Sequence, residues 1–239
     1  MTEVVAVVSS DQWLASIAQD AESLDRSSTA ERIADVLRRR ITEGELPPGT
    51  RMSEASLGAA LGVSRNTLRE AFRLLAHEGL LVHQLHRGVF VPELSEAELR
   101  DLYQLRRTLE CGVVRSLSAM DDERLQPLVA DLDAARAAAG AGDWPGVGTA
   151  NMRFHEHLVA LAGNRRMDEI ARRLLAELRL AFHVVASPRA LHESYVARNR
   201  GLLELLRGGE FARAADDLDT YLHDSEAELL TAHRTRSTA

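Results

Sequence analysis

The chain has 239 residues, 45% hydrophobic and only 4% aromatic, with a formal net charge of −7. That length suits one large domain or two small ones, and the apolar fraction is ordinary for a globular protein. No apolar run approaches the ~20 residues of a membrane helix. The start MTEVVAVVSSDQW lacks the basic region and small-residue cleavage site of a signal peptide. The single cysteine, Cys111, excludes an internal disulfide; a cytoplasmic location without a membrane partner is the expectation, and Cys111 reads as a small core residue.

All 29 basic residues are arginine. Their distribution is uneven. Residues 28–92 hold nine arginines against seven carboxylates, a balance of +2 that leaves −9 for the remainder. Such asymmetry points to different partners for the two parts.

Residues 1–27 show no clear period and read as an N-terminal extension. From Thr29 the signals sharpen. STAERIADVLRRRITEGEL spaces Ile33, Val36, Leu37 and Ile41 as one helical face, with Ser28 or Thr29 as its cap and Gly44 as its stop. PPGT (47–50) is a turn. A short helix follows, capped by Ser53; Gly62 breaks it, and Ser64 caps a third helix that ends at Gly79. LLVHQLHRGVFVPE then reads as a β-hairpin, with strands at 80–84 and 89–91, a tip at His86-Arg87-Gly88, and Pro92 as the stop.

Beyond Pro92 the pattern is helical throughout, with spans predicted at 95–118, 121–140, 144–162, 165–186, 189–207 and 210–232. The expected fold is mainly α. A winged helix-turn-helix domain (28–92) precedes an all-α helical-bundle domain (93–234).

On the third helix Leu68, Ala71, Phe72 and Leu75 form a core stripe. Arg65, Arg69 and Arg73 share a neighbouring face with Asn66 beside it, and Ser64, Arg65, Asn66 and Thr67 crowd the first turn. A helix N-terminus already carries positive partial charge, so arginine there suits an anion docked at that end. In a helix-turn-helix the second helix enters the major groove and its first residues reach base edges. Arginine can fork onto guanine, and Arg87 at the hairpin tip suits a phosphate or minor-groove contact. The competing reading is a solvated face with the arginines paired to Glu70 or Glu78.

The segment GELPPGTRMSEASLGAALGVSRNTLREAFRLLAHEGLLVHQLHRGVFV resembles the winged-helix domain of the GntR family of bacterial transcription regulators. The resemblance implies operator contacts by Ser64, Arg65 and Arg69 with the wing tip, His86, Arg87 and Gly88, alongside. It also implies a homodimer on a short palindrome of double-stranded DNA. ELRDLYQLRRTLE, NMRFHEHLVALAGN and NRGLLELLRGGEFARAADDLDTYL resemble the FCD effector domain of the fatty-acid-regulator-like branch. Many such domains hold a divalent metal with an Asp, a His four residues later, and two further His. Those positions read Asn151, His155, Asn199 and Tyr221. Three of the four depart from the pattern. His155 and Asn151 are the residues left to hold a metal, and the changed donor set disfavours one.

The alternative is a polar pocket without metal. There His155, Asn151, Asn199 and Tyr221 would hydrogen-bond a small effector, with Arg106, which matches an arginine of the family's opening helix, facing an organic acid. For Arg106 a salt bridge to Glu110 is the plain alternative. His157 and His223 are spaced to face away from the site. The expected function is a ligand-responsive repressor. An enzyme is disfavoured because the chain has no HExxH, GxSxG, P-loop or Cys/His cluster. A constitutive DNA-binding dimer with a vestigial pocket stays open.

Overall fold

The computed structural model describes residues 29–42, 45–182 and 188–237, without the side chains of 188, 190–193, 236 and 237. The extension 1–27, the Ser28 cap, the Gly44 stop and the expected helix end at 186 fall outside those residues.

Helix α1 (residues 29–42) buries Ile33, Leu37 and Ile41, while Val36 is only half-buried. It is joined by PPGT to a two-residue strand, β1 (Arg51–Met52). Helix α2 (Glu54–Leu61) starts at Ser53, whose hydroxyl accepts the Ser56 N–H, and stops at Gly62 in the left-handed region, φ 66°. Helix α3 (Arg65–His77) follows after three residues, Gly62, Val63 and its cap Ser64. Its stripe Leu68, Ala71, Phe72 and Leu75 is buried as the periodicity predicts, in one core with the α1 face, Met52, Leu80, Leu81, Val89 and Val91. Gly79 takes φ 76° just past the helix end, the conformation that a C′ glycine accepts at least cost.

The hairpin is shorter than expected, with β2 at Val82–Gln84 and β3 at Gly88–Phe90. β1, which the sequence showed only as the flank of a turn, completes a three-stranded antiparallel sheet in the order β1-β3-β2. Arg51 faces Phe90 and Met52 faces Val89 across one ladder; Val82, His83 and Gln84 face Phe90, Val89 and Gly88 across the other. Two residues of strand carry little periodicity, which is why β1 is legible only in three dimensions.

The remaining described elements are helices. Helix α4 (Glu96–Arg106) opens with a capping box between Ser95 and Glu98. The chain then makes one π turn, Arg107–Cys111, and continues as α5 (Gly112–Ser116). The single helix expected over 95–118 is thus one path with a wide turn inside it. The turn puts the consecutive residues Glu110 and Cys111 both in the interior. Helices α6 (Asp122–Gly140), α7 (Trp144–Ala160), α8 (Arg165–Ala181), α9 (Pro188–Arg207) and α10 (Phe211–Ser237) close the bundle. Its core runs through Tyr103, Leu128, Phe154, Leu178, Leu203 and Leu222.

Helix α8 belongs to both units. Leu175, Leu178 and Ala181 pack in the bundle core. Leu180 is buried in the core of the winged head, with Ala176 against it. Arg179 donates from Nε to the Thr42 carbonyl at 2.8 Å and from Nη2 to the Pro145 carbonyl at 2.9 Å. Glu177 lies over Gly79 so closely that a Cβ at residue 79 would overlap its carboxyl.

Phe72 is 1% exposed, and its removal leaves a cavity between α1 and the sheet. Phe72→Ala is expected to lower unfolding stability by about 3–5 kcal/mol, read from the denaturation midpoint; a loss under about 1 kcal/mol would mean that the stripe does not hold the head together.

Candidate functional site

The DNA-facing candidates are set by the cap of α3. The Ser64 hydroxyl accepts the Thr67 N–H at 3.2 Å and lies 2.8 Å from the Thr67 hydroxyl. Both side chains therefore hold the first turn in shape. Arg65, Asn66, Arg69 and Arg73 stand exposed. Arg69 Nε donates to both carboxylate oxygens of Glu54 at 3.0 Å, across the helix-turn-helix. Arg73 pairs with Glu70 at 3.2 Å. Glu78 is taken by Arg38 of α1 at 2.6 Å. Arg65 forms no ion pair among the described residues. Exposed pairs of this kind are worth little, so a phosphate can replace Glu54 or Glu70 at small cost.

At the wing tip His86 takes φ 60° and Gly88 φ 109°, and the Arg87 N–H closes the turn onto the Gln84 carbonyl at 3.1 Å. The Arg87 guanidinium lies 5.5 Å from the centre of the Phe90 ring, and all three tip residues are exposed. Leu85 beside them is 83% exposed.

The second group of candidates is brought together in the bundle interior. His155 is fully buried, Glu110 and Arg106 are 1% and 2% exposed, and Asn151, Asn199 and Tyr221 are buried with them. Arg106 Nε donates to Glu110 Oε1 at 2.7 Å. Glu110 Oε2 lies 2.6 Å from His155 Nδ1, and His155 Nε2 lies 3.4 Å from the Tyr221 hydroxyl. Asn151 Oδ1 accepts twice, from Asn199 Nδ2 at 2.7 Å and from the Tyr221 hydroxyl at 3.2 Å.

Electrostatics fix the protons. Burial opposes a charge on Glu110, but Arg106 and the hydrogen-bonded His155 outweigh it and hold the carboxyl at about 2. Burial keeps His155 below its usual range, against the pull of Glu110 and with the push of Arg106. The neutral ring then donates its Nδ1 proton to the carboxylate and presents Nε2 as an acceptor. Burial pushes the Tyr221 hydroxyl well above its usual value, so it stays a phenol. Three atoms are left over. Arg106 Nη2, a donor, Asn199 Oδ1, an acceptor, and the hydroxyl of Tyr103, whose ring centre lies 5.2 Å from the Arg106 guanidinium carbon, are buried without a hydrogen-bond partner.

This donor set does not fit a metal. The Asn151 carbonyl oxygen already accepts two hydrogen bonds, Tyr221 is neutral, and His155 Nε2 faces a hydroxyl. Among the described residues no three His, Cys, Asp or Glu side chains come together as a metal cluster. His157 bonds Asp131 at 2.6 Å and His223 bonds the Asp219 carbonyl at 3.2 Å, both away from the site as the spacing predicts. The His192 side chain lies outside the described residues.

A cleft of about 320 Å³ adjoins the cluster between α9 and α10, lined by Arg198, Leu202, Tyr221 and Asp224 among others. Tyr221 belongs to both cleft and cluster. Arg198 lies 5.4 Å from the centre of that ring and pairs with Asp224 at 2.6 Å.

The residue that sequence reasoning missed as a site member is Glu110. Its i+4 spacing from Arg106 gave the pair but not its place, because nothing in RTLEC announces a π turn. Cys111 is buried as expected; burial, abetted by Glu110, pushes its thiol up to about 12.

Two outcomes are expected. Arg65→Ala should weaken operator binding by about 1–3 kcal/mol with the fold intact; an unchanged gel-shift affinity would remove Arg65 from the interface. Glu110→Gln should cost about 3–5 kcal/mol of stability, because it leaves the Arg106 cation buried without a counter-charge. A denaturation midpoint equal to wild type would show that the pair is not closed in solution.

The comparisons with known proteins agree with the fold and its order of domains. Residues 29–91 match the model of the gntR family of bacterial regulatory proteins, and residues 101–224 match the FCD domain. The chain is 28% identical over 191 residues to a probable D-xylose utilization operon transcriptional repressor of Paenarthrobacter nicotinovorans, covering 80% of this chain and 84% of that protein. It is 38% identical over 113 residues to the gluconate operon transcriptional repressor of Bacillus subtilis (strain 168), covering 47% of this chain and 44% of the other. A solved structure described as a transcriptional regulator GntR from Rhodococcus sp. RHA1 superposes with a TM-score of 0.81 at 40% identity, over 86% of this chain and 99% of that one. A second, McbR/YncC of E. coli, shares the fold at a TM-score of 0.74 and 20% identity, over 86% and 98%. A winged helix-turn-helix on a helical bundle, with both family models matched in that order, makes this chain a member of the GntR family of bacterial transcription regulators, carrying an FCD domain and acting on transcription rather than as an enzyme.

Proposed function

We propose that the chain is a repressor that binds a palindromic operator as a homodimer, and that a small organic acid in the helical domain controls its affinity for DNA. The head (28–92) supplies Ser64, Arg65, Asn66, Thr67, Arg69 and Arg73 to the major groove and His86, Arg87 and Gly88 to the backbone or minor groove. The helical unit (93–234) supplies the sensor and the dimer contact. Two relatives carry the word repressor in their names, and one of them is named for gluconate, itself a hydroxy acid.

The observation that carries the effector reading is a pair of the unmatched buried atoms. Arg106 Nη2 needs an acceptor, and Asn199 Oδ1 needs a donor. Leaving such groups unpaired costs roughly 1–3 kcal/mol each. A ligand that offers a carboxylate to the one and a hydroxyl to the other would satisfy both, so a hydroxy acid is the class we favour. His155 Nε2 adds a second acceptor for a hydroxyl. The ligand would come through the cleft beside Tyr221, by a swing of that ring and release of Arg198 from Asp224.

Binding reaches the head through α8. Residues of α7 hold Asn151 and His155, α8 packs on α7, and the same α8 places Leu180, Glu177 and Arg179 against the head. A ligand that favours one seating of α8 would shift operator affinity by a coupling of typically ~1–3 kcal/mol. No metal is needed in this scheme.

The test is thermal unfolding with gluconate, lactate, acetate and glucose, followed by gel shifts. A hydroxy acid at about 100 times its dissociation constant should add about 2.7 kcal/mol of stability and change operator affinity, while glucose should do neither. Equal responses to glucose and gluconate, or none to any acid, would overturn the proposal.

A further inference from the structure

A second cleft lies where the head meets the bundle. It encloses about 350 Å³ between α1 on one side and α7 and α8 on the other, within the range of small-molecule sites. Met152 and Leu175 under it are almost wholly buried, at 6% and 1% exposed, so its apolar surface is Ala176 with the aliphatic stems of the lining arginines. Around this floor stand five arginines and two carboxylates, an excess of three positive charges in a protein that is acidic overall.

The arginines are not equally occupied. Arg38 is held by Asp35 and Glu78, and Arg179 by the carbonyls of Thr42 and Pro145. Arg153 is only loosely paired, 3.5 Å from Asp131. Arg39 on α1 and Arg172 on α8 form no ion pair or side-chain hydrogen bond among the described residues. Both are exposed at the rim. Guanidinium groups fork onto carboxylate or phosphate, and an apolar floor beneath them suits a ligand with an uncharged body.

We infer that this cleft is a second binding site, distinct from the buried cluster around His155, for a small amphiphilic anion whose charged group sits between Arg39 and Arg172 and whose apolar body rests on Ala176 and the aliphatic stems of the surrounding arginines. Because one arginine belongs to the head and the other to the bundle, such a ligand ties the two units together. It stabilises the seating of the head on α8 and so alters operator affinity through that differential contact alone. An anion too small to reach the floor, or a neutral molecule with the same body, lacks half of the interaction.

Isothermal titration of the full chain with phenyl phosphate and with benzoate tests this, using inorganic phosphate and phenol as the separate halves. At least one of the two amphiphilic anions should bind about tenfold tighter than either half. The double variant Arg39→Ala/Arg172→Ala, exposed at both positions, should keep the wild-type melting temperature and lose binding about tenfold or more. Tyr221→Phe, in the other site, should leave that binding unchanged. Operator affinity should shift with the bound anion in wild type and not in the double variant. The inference fails if neither amphiphilic anion binds, if inorganic phosphate binds as well as phenyl phosphate, or if Tyr221→Phe abolishes binding while the double arginine variant retains it. The last result would place the ligand in the buried cluster and so bear on the organic-acid reading instead.

Discussion

A guanidinium 2% exposed in the middle of a helical bundle is the constraint from which the sensor follows. Arg106 cannot shed its proton, and a lone charge there would cost far more than the fold can spare. A carboxylate must reach it. Glu110 does so from the next turn, which opens into a π turn with Glu110 and Cys111 both inside. The second oxygen of Glu110 then takes the Nδ1 proton of His155, which orients the ring and leaves Nε2 toward Tyr221. Tyr221 and Asn199 in turn meet on the carbonyl of Asn151. Each partner is chosen by the group before it, and the chain of choices ends with Arg106 Nη2, Asn199 Oδ1 and the Tyr103 hydroxyl unmatched. A π turn at such a place fits the general habit of these turns to accompany functional sites.

The winged head was legible in the sequence because its signals are local. The Ser64 cap, the Leu68–Leu75 stripe and the Gly79 stop are each set by neighbours a few residues away, and each reappears in three dimensions. What the sequence hid depends on distant partners. Glu70 and Glu78 are the carboxylates near Arg69 in sequence, yet Arg69 meets Glu54 from the preceding helix. Glu110 was recognised as a partner of Arg106 but not as the group that anchors His155. The role of α8 was hidden for a different reason. Leu178 and Leu180 lie two apart, on different faces, and nothing in the run Leu-Arg-Leu-Ala-Phe says that the two belong to different cores.

That two-sided helix is also what makes regulation physically reasonable. A helix buried in one core can only stabilise that core. A helix with Leu178 in the bundle and Leu180 in the head must move both when it moves either. The surface it presents to the head is specific: Glu177 fills the space that only a glycine at 79 leaves free, and Arg179 is tied to the end of α1. The head carries a balance of +2 and residues 93–239 one of −5, so net charge favours the polyanion DNA at the head and disfavours it at the bundle, where an anion would have to rely on individual arginines.

On the proposed reading the buried cluster is a hydrogen-bonded charge network that takes an organic ligand and not a metal ion. Calorimetric titration of the metal-free protein with zinc measures this most directly, with His155→Ala as the control. The account expects no stoichiometric binding that depends on His155. Tight binding of one zinc per chain, lost on replacing His155, would contradict it.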